Sequence, residues 1–429
     1  MTGNYKKGAP FSITFMIIAG ILLSYIFQIA PSPILITLRD YFGITNNDAL
    51  LNLAVSIVYI AMTLGCIAGG AAEKKIGVKN LYTAACALLG AGLILNFAVK
   101  DYWLFLLGRF IFGVGFGLGV PFIGAAIMKW YPPEKREAMN TLNGLFPFMG
   151  TLIAYSLINW ICTKAGSWKT VFGIFGIIYL LIMTLWAIKA NDTHEEAESK
   201  PAEAVKENVY RLIWKIKEIR LLTIIFVCDF FCYSYVAVIL PTLLYELNIG
   251  VITEAGAGLI AAFAFPALGI AGCALGGFIT AKKQKRRGVL IMGQVMKFLG
   301  ILAAVLGMKL GFGAVLAGIA LYGFGTGYWM PIMYIIPMDL DNMDPAKVGA
   351  AFALASACGF ICGFISPTIG GWLTDVLAEA SLITESIASH LYGLKWSMFI
   401  FGFTNLLSTI CAVLMRETGN SLKKQGVSQ

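Results

Sequence analysis

Apolar runs of about 20 residues recur along this chain, separated by short clusters of charged residues, glycine and proline. Twelve such runs are centred near residues 23, 60, 89, 116, 151, 179, 232, 266, 298, 324, 358 and 404, and are numbered spans 1–12 in chain order. Each is long enough to cross a hydrocarbon core of roughly 30 Å as a helix. A helix also satisfies its backbone donors and acceptors internally, as a bilayer demands. The pattern predicts an all-α membrane protein with twelve transmembrane helices. Lys6 and Lys7 precede the first run, but that run is too long for a secretory leader and has no small-residue cleavage site, so it is read as span 1.

The pattern repeats. Gly65-Cys66-Ile67-Ala68-Gly69-Gly70 returns as Gly272-Cys273-Ala274-Leu275-Gly276-Gly277, 207 positions later. Gly113, Gly115, Gly117 and Pro121 return as Gly323, Gly325, Gly327 and Pro331 at an offset of 210. Pro33 with Ile44-Thr45 returns as Pro241 with Ile252-Thr253 at 208. Three segments in one order at nearly one offset make the halves copies of one module, and predict two pseudo-symmetric six-helix bundles. Paired membrane repeats build a solute path at their interface and expose it alternately to either side. The glycines lie near one face of their helices, where small residues let membrane helices approach closely. They do not form a phosphate loop, since no strand precedes them and no Gly-Lys-Ser/Thr follows.

One long polar stretch interrupts the apolar rhythm. It divides the chain into an N-terminal bundle (1–190), a linker (191–220) and a C-terminal bundle (221–429). Within the linker, Val209–Ile219 reads as a short amphipathic helix lying on the membrane surface, or, the preferred reading, as part of a solvated connector that tethers the halves. The connection Leu377–Lys395, between spans 11 and 12, is expected to carry a short helix of its own.

Composition agrees: 59% of residues are hydrophobic and 13% charged, against roughly 25% charged in a soluble domain. With both termini in the cytoplasm, Arg39, Lys100, Lys164, Lys169, Lys309 and Lys395 face outward and Arg109 and Lys297 lie inside the membrane. The remaining lysines and arginines then fall on the inner side, the positive-inside pattern of a plasma-membrane protein. The net charge of +9 is thus a matter of topology and anionic lipid, with no basic face for nucleic acid. The nine cysteines all lie in or at the ends of apolar runs, as small buried hydrophobes, and no cofactor or metal is expected.

Several short segments resemble the major facilitator superfamily over essentially the whole chain. Gly70-Ala-Ala-Glu73-Lys74-Lys75-Ile76-Gly77 is similar to its loop after span 2, with Glu73 one place early and lysines for arginines. Arg109 followed by Gly113 and Gly115 is similar to its fourth-span motif. Trp130-Tyr-Pro-Pro-Glu-Lys-Arg136 and Gly166-Ser167-Trp168 resemble its later junctions. Tyr328-Trp329-Met330-Pro331, Pro337-Met338-Asp339 and Ser366-Pro367 look most like the cyanate, nitroimidazole and nitrate-type permeases. Spans 2 and 8 hold no arginine, which argues against nitrate itself. The resemblance implies a monomeric carrier whose span 7 lines the path, and in which Gly70, Glu73, Lys74, Lys75 and Gly77 form a conformational motif.

Charged residues deep in a bilayer are functional candidates by default. Asp229 lies about 13 Å up span 7 from Arg220. It is the candidate proton-coupling group; pairing with a cationic substrate or with a neighbouring helix are the alternatives. Arg109 is a candidate for coupling, for substrate contact or for holding the helix pack. Lys297, with Gln294 one turn earlier, is expected to snorkel or to pack within its own half. Tyr25 and Gln28 share a face of span 1, and Asp229 and Tyr233 a face of span 7. Tyr25 and Tyr233 are repeat equivalents and are expected to face each other across the path. With Asn140, Asn143, Tyr328, Trp329 and Tyr334 they offer polar-tipped surface for a small organic solute.

The function expected is secondary active transport of a small organic solute, with a mild preference for an organic anion, coupled to protons or to a counter-solute. Proton-driven efflux of amphiphilic or cationic compounds is the alternative. An enzyme is disfavoured: His194 and His390 are the only histidines, and neither an HExxH motif nor a serine triad occurs.

Overall fold

The computed structural model describes residues 11–45, 47–130, 144–190, 209–283, 285–340, 343 and 345–419. Among these residues twelve helices are long and apolar enough to cross a membrane. Spans 1–6 are Ser12–Ile29, Asp48–Gly69, Lys79–Phe97, Tyr102–Gly119, Gly144–Lys164 and Trp168–Lys189. Spans 7–12 are Lys217–Glu246, Glu254–Lys283, Arg287–Gly307, Phe312–Asp339, Ala350–Ala380 and Ser386–Leu414. Each predicted centre falls inside its helix, and the all-α class stands.

Local chemistry sets the breaks. Spans 2 and 3 form one hydrogen-bonded run, Asp48–Phe97, turned at Gly77, whose φ of 77° and ψ of 165° suit glycine alone. Asn47 caps the start of span 2 through the Leu50 amide (2.9 Å), and Ser167 caps span 6 through that of Lys169 (3.2 Å). Span 8 widens into a π-turn at Phe263–Ala267, where Pro266 brings no N–H to the ladder. Span 5 carries a second π-turn at Ala154–Ile158.

The described residues form two compact units. Unit 1 combines spans 1–6 with Val238–Ile260, the last turns of span 7 and the first of span 8; unit 2 holds the rest of spans 7 and 8 and spans 9–12. In unit 1, Ser32 Oγ donates to the Val238 carbonyl (2.7 Å) and Thr37 Oγ1 to Glu254 Oε2 (3.2 Å). Arg39 lies 3.4 Å from Asp48 and 3.8 Å from Glu246.

The sequence repeat is a repeat of contacts. In unit 1 a Cβ placed on Gly65 would strike the Val114 carbonyl, one on Gly113 that of Val58, and one on Gly117 that of Met62. In unit 2 the corresponding collisions pair Gly272 with Phe324, Gly323 with Phe265 and Gly327 with Gly269. Glycines and partners both recur at the offsets read from the sequence. Gly92 against Gly108 in spans 3 and 4 is matched by Gly300 against Gly318 in spans 9 and 10. Backbones meet directly at these points, the close approach by which helices associate in lipid.

Two expectations change. The linker helix is shorter, Val209–Lys215, and packs an apolar face on protein. Ile213 and Ile219 are buried with Leu340 and Ala351, because the ends of spans 10 and 11 offer an apolar seat beside it. The connection between spans 11 and 12 carries no separate helix: span 11 runs to Ala380 and span 12 starts at Ser386, each extending into it.

Candidate functional site

Asp229 sits in span 7 between Cys228 and Phe230, a position where a lone carboxylate would be costly. Unit 2 surrounds it with partners. Asp229 is 4% exposed and Lys297, from span 9, is fully buried; Lys297 Nζ pairs with Asp229 Oδ1. Gln294 Nε2 donates to the other oxygen, Oδ2, at 3.2 Å. Gln294 and Lys297 are three residues apart and therefore share a helix face. From span 12, Ser408 Oγ lies 2.8 Å from Gln294 Oε1, within donating distance.

Span 10 closes this group. The Trp329 ring lies 5.8 Å from Lys297 Nζ, within reach of a cation–π attraction. The ring can stand there because Gly293 faces it: a Cβ at that position would come within 2.7 Å of Trp329 Cβ. One turn past Asp229, the buried Cys232 thiol is faced by Tyr322 and Asn405. Spans 7, 9, 10 and 12 thus converge on one ion pair. Lys297 packs within its own half, but as a buried partner of Asp229. The snorkelling expectation is corrected, since the short reach to a carboxylate outweighs a longer one to the interface.

Unit 1 holds the other deep charge differently. Arg109 is fully buried in span 4. Its Nε donates to the Ala54 carbonyl (2.8 Å), Nη1 to that of Phe27 (2.5 Å) and Nη2 to that of Gln28 (2.5 Å). Span 1 ends at Ile29, and Pro31 supplies no N–H to close the Phe27 carbonyl. Arg109 takes that place, a cation at the negative end of span 1. Its guanidinium ties spans 1, 2 and 4 together, with the Phe112 ring 5.4 Å away.

The remaining candidates are spread out. Tyr25 stands edge-on to Phe116 at 4.9 Å in unit 1, and the Gln28 amide contacts Met62 Sδ at 3.5 Å. Tyr233, half-buried in unit 2, packs on Phe230 and Phe265, each at 5.7 Å. Tyr328 is buried and stacks on Phe324 at 5.9 Å. Tyr334 is 41% exposed beside Phe352 (5.6 Å). Asp229, Lys297 and Trp329 are brought together; Tyr328 and Tyr334 do not join them. Lys75 is exposed and Gly77 forms the turn between spans 2 and 3. Asn140 and Asn143, and the surroundings of Gly70, Glu73 and Lys74, lie outside the described residues. Sequence reasoning missed Ser408 and the role of Gln294. Their signal was polar pairs at i, i+3 inside apolar spans: Gln294 with Lys297, and Asn405 with Ser408.

Twelve spanning helices, duplicated glycine contacts and a buried charge in each unit define a membrane carrier of two-repeat construction. The chain belongs to the Major Facilitator Superfamily, whose family model matches residues 17–367. It is a transporter and not an enzyme. It is 25% identical over 390 residues to a hexuronate transporter of Bacillus subtilis, covering 85% of this chain and 87% of that one. A probable sulfoacetate transporter of Cupriavidus necator is 24% identical over 379 residues, covering 82% and 84%. Among solved structures, a D-xylose–proton symporter superposes with a TM-score of 0.77 at 17% identity, covering 94% of this chain and 97% of that one. An inward-facing bacterial homologue of the human lysosomal transporter Spinster gives 0.78 at 12% identity, covering 95% and 97%.

Proposed function

We propose that this transporter moves a small organic anion together with a proton. The observation that carries the reading is the buried Asp229–Lys297 pair. As an ion pair it has no net charge. A proton on Asp229 leaves Lys297 as an uncompensated cation in a low-dielectric interior, where charge acts over long distances. An anion in the path relieves that excess, and a neutral or cationic solute does not. Proton and anion then favour each other's binding, and by linkage the favour is reciprocal.

The relatives support an anion: hexuronate and sulfoacetate, for which two of them are named, are both organic anions. The resemblance to cyanate, nitroimidazole and nitrate-type permeases is consistent with the same sign of charge. In this reading the halves 1–190 and 221–429 rock about the path, and the linker 191–220 tethers them. Tyr25, Gln28, Asn143, Tyr233, Tyr328 and Tyr334 supply its polar and aromatic surface. Trp329 acts through Lys297. Arg109, with three donors committed to backbone carbonyls, holds unit 1 in shape. Gly70, Glu73, Lys74, Lys75 and Gly77 serve the conformational change on the cytoplasmic side, and the carrier works as a monomer in the plasma membrane with both termini inside.

The test is proton flux into proteoliposomes holding a pH dye. Glucuronate, sulfoacetate, cyanate and a quaternary amine are added in turn at equal starting pH. Acidification with an organic anion and none with the amine is the expected result. Alkalinisation driven by the amine would replace symport of an anion with efflux of cations.

A further inference from the structure

Asp229 has two carboxylate oxygens, and the structure gives them different partners. Oδ1 faces the Lys297 ammonium, while Oδ2 accepts from Gln294 Nε2 at 3.2 Å. We infer that Gln294 is a positioning residue that sets the pH at which Asp229 takes up its proton, and that Ser408 holds the Gln294 amide in the donating orientation. The inference rests on the coupling role proposed for Asp229.

An amide can present either its NH2 or its oxygen to a neighbour. Presented to a carboxylate, the NH2 favours the ionised form, and the oxygen disfavours it. Ser408 decides between them by donating to Gln294 Oε1 at 2.8 Å, which leaves the NH2 for Asp229. The Ser408 hydroxyl has two other acceptors within reach, the Asn405 carbonyl at 2.9 Å and the Asp229 carboxylate itself, and one proton to give. That carbonyl is already served by Thr409 Oγ1 at 2.7 Å, so the Ser408 proton is available to Gln294. Ser408, Gln294 and Asn405 are all fully buried, which keeps water from substituting for any of these bonds.

The titratable groups facing Asp229 are Lys297 from span 9, Tyr322 from span 10, and Cys228 and Cys232 on its own helix. Neither Gln294 nor Ser408 titrates, so replacing them moves the profile without adding or removing a charge. Loss of a donor to the ionised carboxylate lets Asp229 bind its proton at higher pH.

The experiment measures substrate-driven proton flux against pH in proteoliposomes, with glucuronate or sulfoacetate as the probe and equal pH on both sides at the start. Gln294→Leu is expected to raise the midpoint of the profile by about one pH unit, the scale of one hydrogen bond to a charged group. Ser408→Ala moves it the same way by roughly half as much, Ser408→Thr keeps the wild-type midpoint, and the double variant is expected to match Gln294→Leu alone. A double variant shifted by the sum of the two would overturn action through Gln294 in favour of the direct contact of Ser408 with Asp229. A midpoint does not depend on how much protein folds, so lower yield leaves the readout intact. If Asp229→Asn loses proton-driven flux while Gln294→Leu and Ser408→Ala keep the wild-type midpoint, the positioning role is overturned and the coupling role survives. If Asp229→Asn keeps full proton-driven flux, both fall.

Discussion

Lys297 reaches from span 9 to Asp229 on span 7, and the pair lies wholly within unit 2. The repeat gives this position a counterpart in unit 1, and there it is apolar. The equivalents at an offset of 208 are Ile21 and Leu89, both buried. The converse holds for Arg109, whose counterpart is the buried Ile319. One glycine scaffold is thus used twice with different charges. In unit 1 the charge ties backbone together, and in unit 2 an acid and a base neutralise each other. Only the second arrangement changes its net charge when a proton arrives.

A buried pair is fragile to the loss of one member. Lys297→Leu leaves Asp229 without its counter-charge and is expected to destabilise the protein by about 3–5 kcal/mol. Replacing both residues with leucine removes charge and counter-charge together, and should recover most of that loss. Thermal unfolding in detergent checks this. A double variant no more stable than Lys297→Leu would show that the cluster is held by packing and not by the pair.

Coupling should separate from exchange at Asp229. Asp229→Asn keeps the shape and the bond from Gln294 and imitates the protonated acid, leaving Lys297 uncompensated at some cost in stability, but cannot carry a proton at physiological pH. The expected phenotype is loss of uphill accumulation under a pH gradient, with substrate exchange across the bilayer retained. Counterflow of labelled substrate measures exchange, and the pH dye measures coupling. Loss of both activities in a well-folded variant would assign Asp229 to the conformational cycle instead.

Arg109→Lys replaces a three-donor planar fork with a single ammonium, which cannot reach the Ala54, Phe27 and Gln28 carbonyls at once. Each lost bond from a charged donor is worth about 1.5–3 kcal/mol. The variant should therefore be markedly less heat-stable, while the folded fraction keeps its substrate KM. A large rise in KM at unchanged stability would place Arg109 in contact with substrate.

The spans and the duplicated glycines were legible because hydropathy and close helix approach are written locally. The partners of the deep charges were not. Nothing along span 7 states that span 9 lies beside Asp229, since that neighbourhood is a product of packing. Even so, Gln294 and Lys297, one turn apart in an apolar run, marked a polar face seeking a partner. Arg109 was harder to read because its partners are backbone carbonyls, which no residue type announces. Pro31 was the clue, since a proline four residues on leaves the Phe27 carbonyl without its helical donor. The seat of the linker helix on protein was not legible, because an apolar face looks the same whether lipid or protein covers it.

The repeated contacts themselves can be tested one glycine at a time. A Cβ at Gly276 or Gly327 would run into span backbone, at the carbonyls of Tyr328 and Gly269, and backbone cannot step aside as a side chain can. Gly117 in unit 1 meets the Met62 carbonyl and the Gly65 Cα. Alanine at Gly117 and at its repeat equivalent Gly327 should therefore destabilise the protein alike, by about 1–3 kcal/mol or more, as overpacking does. Gly288 and Gly313 are also helical, but a Cβ there meets nothing within 4 Å. Alanine at those two positions should be neutral or stabilise by up to about 1 kcal/mol, through helix propensity alone. Thermal unfolding of the four single variants distinguishes the cases. Equal tolerance at Gly327 and Gly313 would mean that the spans are free to separate, and that the matched contacts of the two units do not hold them together.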